Sequence, residues 1–125
     1  MKYLLDVNLL IAGIIQNHPL HIRARSWLIG RQIVLCPLVE LGYLRISTQQ
    51  KFSINMTMEI ASEALSRFAR ERKAVRISDD LPALESHPRT SDEVTDHYLA
   101  NLAAKHGLRL ATFDARLTSF CRMVS

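Results

Sequence analysis

The sequence has few cysteines that could form cross-links and no apolar segment long enough to span a membrane. It contains only two cysteines, Cys36 and Cys121, and their spacing fits neither a disulfide framework nor a zinc site, so we expect two buried, reduced thiols. No apolar run approaches the roughly 18 residues that cross a bilayer. Asp6 and Asn8 interrupt the apolar N-terminal segment, and no cleavage site of small residues follows, which argues against a signal peptide. These absences predict a cytoplasmic protein without a membrane segment.

The length and net charge of the chain limit the number of domains and the kind of partner that can be expected. A chain of 125 residues is long enough for one proper core and too short for two, so we predict a single domain covering residues 1–125. Hydrophobic residues make up 48% and charged residues 22%, which is ordinary for a globular protein. The net charge of +4 mildly favours an anionic partner such as nucleic acid.

Short apolar segments alternate with amphipathic ones along the chain. The apolar segments predict strands at 3–5, 33–35, 74–77 and 108–112, with a fifth at the end of the chain. The amphipathic segments predict helices that begin near Leu9, Pro19, Pro37, Thr57 and either Thr90 or Thr95. Residues 78–91 form a long connection, with a helical turn expected around 81–84. This alternation predicts an α/β fold with a central parallel sheet of four to five strands and helices on both faces.

Four acidic residues occupy equivalent places in this pattern: Asp6, Glu40, Asp96 and Asp114. Each follows a predicted strand or lies in the first turns of a helix, and such positions converge at the carboxyl edge of a parallel sheet. Taken singly, each could be a helix cap or a partner of the helix dipole. Together they would repel one another strongly unless a cation lay between them, which argues for Mg²⁺ or Mn²⁺.

Other charged residues give weaker signals. His18 and His21 are three residues apart, but no third metal ligand lies near them in the sequence. Five basic residues cluster in the second half of the chain and are interpreted as a solvated helix face: Arg67, Arg70, Arg72, Lys73 and Arg76. Arg45 and Arg116 are closer to the acidic motifs and are better candidates for contact with phosphate.

Three segments carry a specific resemblance. LLDVNLLIA, CPLVELGYLRIS and TDHYLANLAAKHGLRLATFDARL resemble the motifs of the PIN domain, and within that family those of the small VapC-type toxins. The resemblance extends over nearly the whole chain, although residues 78–91 match no motif. It implies that the four acids form one catalytic site. It also implies supporting roles for Asn8, beside the first acid, and for Thr112, before the fourth.

The resemblance implies a Mg²⁺-dependent endoribonuclease that is the toxin of a type II toxin–antitoxin system. A carboxylate-held ion would activate a water for phosphodiester hydrolysis and leave 5′-phosphate and 3′-hydroxyl ends. Asp6 and Asp114 are expected to bind the metal directly, Asp96 to bind a second ion or act through water, and Glu40 to orient the water or act as general base. The expected partners are RNA, a cognate VapB-like antitoxin and a second copy of the chain in a homodimer.

Two other interpretations remain open. A receiver-type signalling domain also gathers aspartates around Mg²⁺, but it needs adjacent acids after the first strand and a lysine after a late one. Here Asp6 stands alone and Phe113–Asp114 follows the last long strand. A PIN-fold protein that binds RNA or a partner without cleaving would be signalled by a missing acid, and none is missing.

Overall fold

A computed structural model of the chain describes residues 2–49, 56–86, 90–91, 94–113 and 122–123. Its strands are β1 (Lys2–Leu5), β2 (Gln32–Leu35), β3 (Val75–Arg76), β4 (Arg109–Thr112) and β5 (Arg122–Met123). Its helices are α1 (Val7–Ile14), α2 (His21–Leu28), α3 (Pro37–Ser47), α4 (Met58–Glu71) and α5 (Val94–Lys105), with a 3₁₀ turn at Ala83–Ser86. Within these ranges no helix is both long and apolar enough to span a bilayer.

The five strands form one parallel sheet in the order β3-β2-β1-β4-β5. The first strand is central, with Tyr3 opposite Ile33 of β2 on one side and Arg109 of β4 on the other. Successive strands run outward from β1 to β3, and the chain then returns across β1 to place β4 on its other side. This confirms the predicted parallel sheet, including its short fifth strand.

Helices cover both faces of the sheet, as predicted. Crossovers between parallel strands are almost always right-handed, so a reversal in strand order moves the connecting helix to the opposite face. Helices α1 to α4 connect strands that run outward in one direction, and α1 packs against α2, α3 and α4. Helix α5 connects β3 to β4 across the reversal and packs against β1 and β4.

The core lies between these layers and is built on the strands. Leu4, Leu5, Ile33, Leu35 and Leu110 are all fully buried. Such near-continuous apolar strands are expected in a parallel sheet that is covered on both faces. Burial of each such side chain contributes about 1.5–3 kcal/mol relative to exposure.

Three large apolar residues in or next to the helices are exposed. Ile22, Ile29 and Ile60 expose 79%, 70% and 56% of their surface. Ile22 lies on the side of α2 opposite the buried Trp27, and Ile29 follows the last turn and leaves the helical stripe. On α4 the cap was predicted correctly, because the Thr57 hydroxyl accepts a hydrogen bond from the Ile60 amide at 3.2 Å.

The connection from β3 to α5 is fastened by side chains. Asp80 is hydrogen-bonded to the His106 ring at 2.8 Å, and this contact holds the pKa of Asp80 below its usual value. The Tyr98 hydroxyl donates to the Leu81 carbonyl at 2.8 Å. The helical turn in this connection begins at Ala83 instead of around 81. Thr95 is the second residue of α5, so it does not cap the helix. The other predicted start, Thr90, lies before the helix, and residues 92–93 between them are outside the described residues.

Candidate active site

The reversal of strand order between β1 and β4 creates a crevice at the carboxyl edge of the sheet, where open parallel sheets bind ligands. Asp6 follows β1 at this point and is only 4% exposed. Its amide donates to the Ala111 carbonyl at 3.1 Å, which extends the pairing of β1 with β4. Its Oδ1 accepts the Leu9 amide at 2.8 Å and caps α1. The carboxylate is therefore held in one orientation.

Thr112 holds the second oxygen of the same carboxylate. This residue is the last of β4, is fully buried, and donates its hydroxyl hydrogen to Asp6 Oδ2. A carboxylate oxygen can accept more than one interaction, so a carboxylate oriented by hydrogen bonds can also bind a cation. Thr112 is thus bonded directly to Asp6, the first of the four acids.

A cleft of about 180 Å³ opens beside Asp6. Its lining comes from the first turns of α1 and α5 and the last turn of α3, and consists of Asp6, Val7, Asn8, Arg45, Ile46, Thr95 and Asp96. Four residues that were predicted from the sequence thus line one cleft: two acids, Asn8 and the candidate phosphate contact Arg45. Asp96 is half-buried in the first turn of α5 and faces the same space as Asp6.

Close contact between α3 and α1 brings Arg45 to this cleft. The helices meet at Gly42, where a Cβ atom would lie 2.8 Å from Val7 Cγ2 and 3.2 Å from Val7 Cγ1. Real Cβ atoms almost never approach another heavy atom so closely. The absence of a side chain at position 42 therefore allows the end of α3 to reach the cleft.

Glu40 is placed differently from the other described acids. It lies in the first turn of α3, but it does not line the cleft, and its Oε1 accepts a hydrogen bond from Arg76 Nε at 2.7 Å. Arg76 ends β3, so interpreting it as part of a solvated helix face was wrong: Arg67 and Arg70 lie on α4, whereas Arg76 belongs to the sheet edge that carries the acids. Its strand-end position was the signal in the sequence that could have identified it.

Two further residues of this edge were not singled out from the sequence. Thr95 lines the cleft next to Asp96, and its place in the TDHYL segment was the available signal. Asp79 accepts the Leu38 amide at 3.0 Å and so satisfies the start of α3, where Cys36 provides no side-chain cap. No local motif could reveal that bond, because its partners are 41 residues apart.

The histidine pair and Cys36 are not among the described residues that line the cleft. His18 Nδ1 accepts the Leu20 amide, and His21 Nδ1 contacts the Ala12 carbonyl at 2.7 Å, so both rings are engaged with the backbone. Cys36 is buried, as predicted, and burial raises the pKa of its thiol to about 12. A thiol with that pKa stays protonated at neutral pH and is a poor nucleophile or metal ligand. Cys121 lies outside the described residues.

The donor set of the cleft suits a hard divalent ion. Asp6 and Asp96 provide carboxylate oxygens, and Mg²⁺ is commonly bound through one or two carboxylates while it keeps several waters. Across the described ranges, no group of three or more His, Cys, Asp or Glu residues is arranged to hold a metal. Asp114 and Arg116 lie outside those ranges. The described part of the cleft therefore fits Mg²⁺ or Mn²⁺ and lacks the nitrogen and sulfur ligands typical of zinc.

Comparison with protein families and curated proteins gives a consistent result. The family model described as the PIN domain matches residues 3–123. Ribonuclease VapC44 of Mycobacterium tuberculosis is 32% identical over 123 residues, which cover 91% of this chain and 87% of that protein. Ribonuclease VapC39 of the same species is 34% identical over 127 residues, covering 94% and 91%.

A solved structure shows the same fold. It is the crystal structure of VapBC2 from Rickettsia felis bound to a DNA fragment from the promoter. The matched chain superposes with a TM-score of 0.64 over 98% of this chain and 97% of its own length. At 16% sequence identity this likeness concerns the fold alone.

Proposed function

The chain belongs to the PIN domain family and, within it, to the VapC-type proteins, and on this basis we propose that it is a metal-dependent endoribonuclease, the toxin of a type II toxin–antitoxin pair. The observation that carries the proposal is the meeting of Asp6 and Asp96 in one cleft, at the point where the strand order reverses. The ribonuclease names of relatives that cover about nine-tenths of the chain support RNA as the substrate.

The side chains of the cleft have separable roles in this proposal. Asp6, fixed by Thr112 and by the Leu9 amide, is a direct metal ligand. Asp114, the fourth acid, is the second direct ligand, and Asp96 binds a second ion or acts through a metal-bound water. Mg²⁺ or Mn²⁺, when bound, would polarise a phosphoryl oxygen and lower the pKa of a water.

Arg45 and Glu40 act on the substrate and the water respectively. Arg45 lines the cleft and is exposed, so its guanidinium can bind the phosphate backbone without reading the base sequence. Arg116 is the second candidate for such a contact. Glu40 orients the attacking water or accepts its proton, and Asn8 supports the first acid from the start of α1. The products carry 5′-phosphate and 3′-hydroxyl ends.

The proposed partners are a VapB-like antitoxin and a second copy of the chain, in the cytoplasm. A hollow of about 340 Å³ with mostly apolar walls lies beside the cleft, and Thr95 lines both. Val94 lines this hollow and is 50% exposed, and Leu84, next to the lining residue Ala83, is 85% exposed. Exposed apolar surface of this kind favours contact with another protein. Light scattering of the purified chain across a concentration series tests the homodimer, which a constant monomer mass would contradict.

Cleavage of total RNA by the purified protein tests the proposed activity. Reactions with Mg²⁺, with Mn²⁺ and with EDTA are compared with the Asp6→Asn variant. Asparagine is as good an N-cap as aspartate, so the variant keeps the start of α1 while losing the ligand charge. We expect discrete, metal-dependent fragments with 5′-phosphate ends, and none from the variant.

RNA binding by the same preparations is the control that allows an absence of cleavage to be interpreted. A folded, antitoxin-free protein that binds RNA but cleaves none with either metal would indicate a PIN-fold binding protein instead of a nuclease. Equal cleavage by the wild type and Asp6→Asn would contradict the assignment of the cleft.

A further inference from the structure

Glu40 and Arg76 form an ion pair that joins two elements of the sheet edge. Arg76 ends β3, Glu40 lies in the first turn of α3, and 36 residues separate them in the sequence. Nε donates to Oε1 at 2.7 Å, and the Glu40 side chain is only 21% exposed, against 54% for Arg76. The pair therefore fixes a half-buried carboxylate relative to the sheet, in addition to any fixation by the helix backbone.

A second arginine–glutamate pair provides the contrast. Arg67 and Glu63 are one turn apart on α4, at 2.8 Å, with side chains 57% and 72% exposed. Such surface pairs have little effect on structure or stability. The two arginines are similarly exposed and make contacts of similar length, but only Arg76 pairs with an acid of the proposed site.

The Glu40–Arg76 pair affects the balance of charge at the sheet edge that carries the acids. Asp6 and Asp96 already bring two carboxylates to the cleft, and a further carboxylate without a counter-charge at the same edge of the sheet would add to the repulsion between them. Arg76 balances the charge of Glu40 through its 2.7 Å contact, and Glu40 is not among the described residues that line the cleft with Asp6 and Asp96. A carboxylate engaged in this way is less available as a metal ligand than one without a counter-charge.

We propose that Arg76 is the positioning residue for Glu40, keeping this carboxylate out of the metal-binding group and beside the path of the attacking water. The proposal rests on the assignment of Glu40 under Proposed function. It predicts two effects of opposite direction when Arg76 is removed. The unneutralised Glu40 should strengthen metal binding, while its misplacement should slow turnover. Simple disruption of the site would instead weaken metal binding.

The test compares full-length Arg76→Ala and Arg76→Lys with Arg67→Ala as the matched control. Mn²⁺ binding is measured by calorimetry without RNA, and kcat and KM are measured separately on an oligoribonucleotide that contains a mapped cleavage site. We expect Arg76→Ala to bind Mn²⁺ roughly three- to tenfold more tightly, because one negative charge near a divalent ion is no longer balanced. Its kcat should fall about 10- to 100-fold with KM nearly unchanged.

The lysine variant should recover part of both effects, because an ammonium group restores the charge but not the Nε–H geometry. Arg67→Ala should match the wild type in both measurements. In a Glu40→Gln background, replacing Arg76 with alanine should no longer change Mn²⁺ affinity or kcat, since residues that act through one another show non-additive effects.

Three results would overturn the proposal. Weaker Mn²⁺ binding by Arg76→Ala would indicate a purely structural role. A raised KM with unchanged kcat would make Arg76 a phosphate contact. Additive effects of the Arg76 and Glu40 substitutions would show that the two residues act independently of each other. If the wild-type protein cleaves no RNA, the proposed function fails on its own, and the Mn²⁺ measurements still decide whether Arg76 balances the charge of Glu40.

Discussion

Thr112 and Asp6 are joined by a hydrogen bond from the threonine hydroxyl to Oδ2 of the carboxylate, across 106 residues of sequence. The bond connects the ends of two neighbouring parallel strands, β4 and β1, at the reversal of strand order. Both residues are buried. A buried carboxylate is costly unless it is hydrogen-bonded, so the site depends on this hydroxyl for its stability as well as for its geometry.

Replacing Thr112 with valine should therefore reduce both stability and the proposed cleavage. Valine preserves the shape of the side chain but leaves Oδ2 without its threonine donor, and the expected loss is about 1–3 kcal/mol in the free energy of unfolding. Urea unfolding and the rate of RNA cleavage provide the measurements. Thr112→Ser is the control, because it keeps the hydroxyl and should stay close to the wild type in cleavage. A valine variant with wild-type stability and cleavage would show that the bond is dispensable.

Gly42 leads to a prediction about the packing of two helices. An alanine there would press against Val7 Cγ2, at 2.8 Å, and valine has little freedom to turn away within a helix. We expect Gly42→Ala to lower the free energy of unfolding by about 1–3 kcal/mol through overpacking. RNA cleavage should also fall, because α3 carries Arg45 to the cleft.

The compensating variant for this packing prediction is Val7→Ala combined with Gly42→Ala. Removal of the valine methyl groups makes room for the new Cβ, so the double variant should be more stable than Gly42→Ala alone and should regain cleavage. A single variant as stable as the wild type would mean that α3 can shift without consequence for the site.

The sheet and most of the cleft could be predicted from the sequence because both follow from local order. Buried parallel strands appear as short apolar runs, and the residue after each run must lie at the carboxyl edge. That rule indicated this edge for Asp6, and the predicted helix start indicated it for Asp96, whereas Asn8 and Thr112 were singled out only by the resemblance to the PIN domain motifs. Arg76 obeys the same rule, but its neighbours in a basic run led to a different interpretation.

The features that could not be predicted depend on side-chain contacts between distant segments. Glu40 lies at the expected edge, yet its side chain is paired with Arg76, a contact that a helical pattern does not reveal. The close packing of Gly42 on Val7 likewise depends on the angle at which α3 crosses α1. The exposed Ile22 shows that apolar composition in a short helix does not by itself identify the buried face.

Asp79 provides a third test, which concerns the start of α3. Its Oδ2 accepts the Leu38 amide at 3.0 Å, in place of the side-chain cap that Cys36 does not supply. Asp79→Ala should lower the free energy of unfolding by about 0.5–2 kcal/mol, as the loss of a helix cap does. Asp79→Asn keeps a hydrogen-bond acceptor, so it should lower the free energy of unfolding by only about a few tenths of a kcal/mol, because its interaction with the helix dipole is weaker. Equal losses in the two variants would show that charge, and not the hydrogen bond, is what matters.

Because of Cys36, the folded protein should become less stable as the pH rises into the alkaline range. Burial raises the pKa of its thiol from 9.0 to about 12, so the unfolded chain loses this proton from about pH 9 while the folded chain keeps it. The folded state then binds more protons, and the free energy of unfolding must fall as pH rises through this window. Between pH 8 and pH 10 the thiol contributes a decrease on the order of 1 kcal/mol. Urea unfolding of the wild type and of Cys36→Ala under reducing conditions isolates this contribution, because the variant should lack it whatever its stability at pH 8. Parallel pH profiles for the two proteins would contradict the buried, protonated thiol.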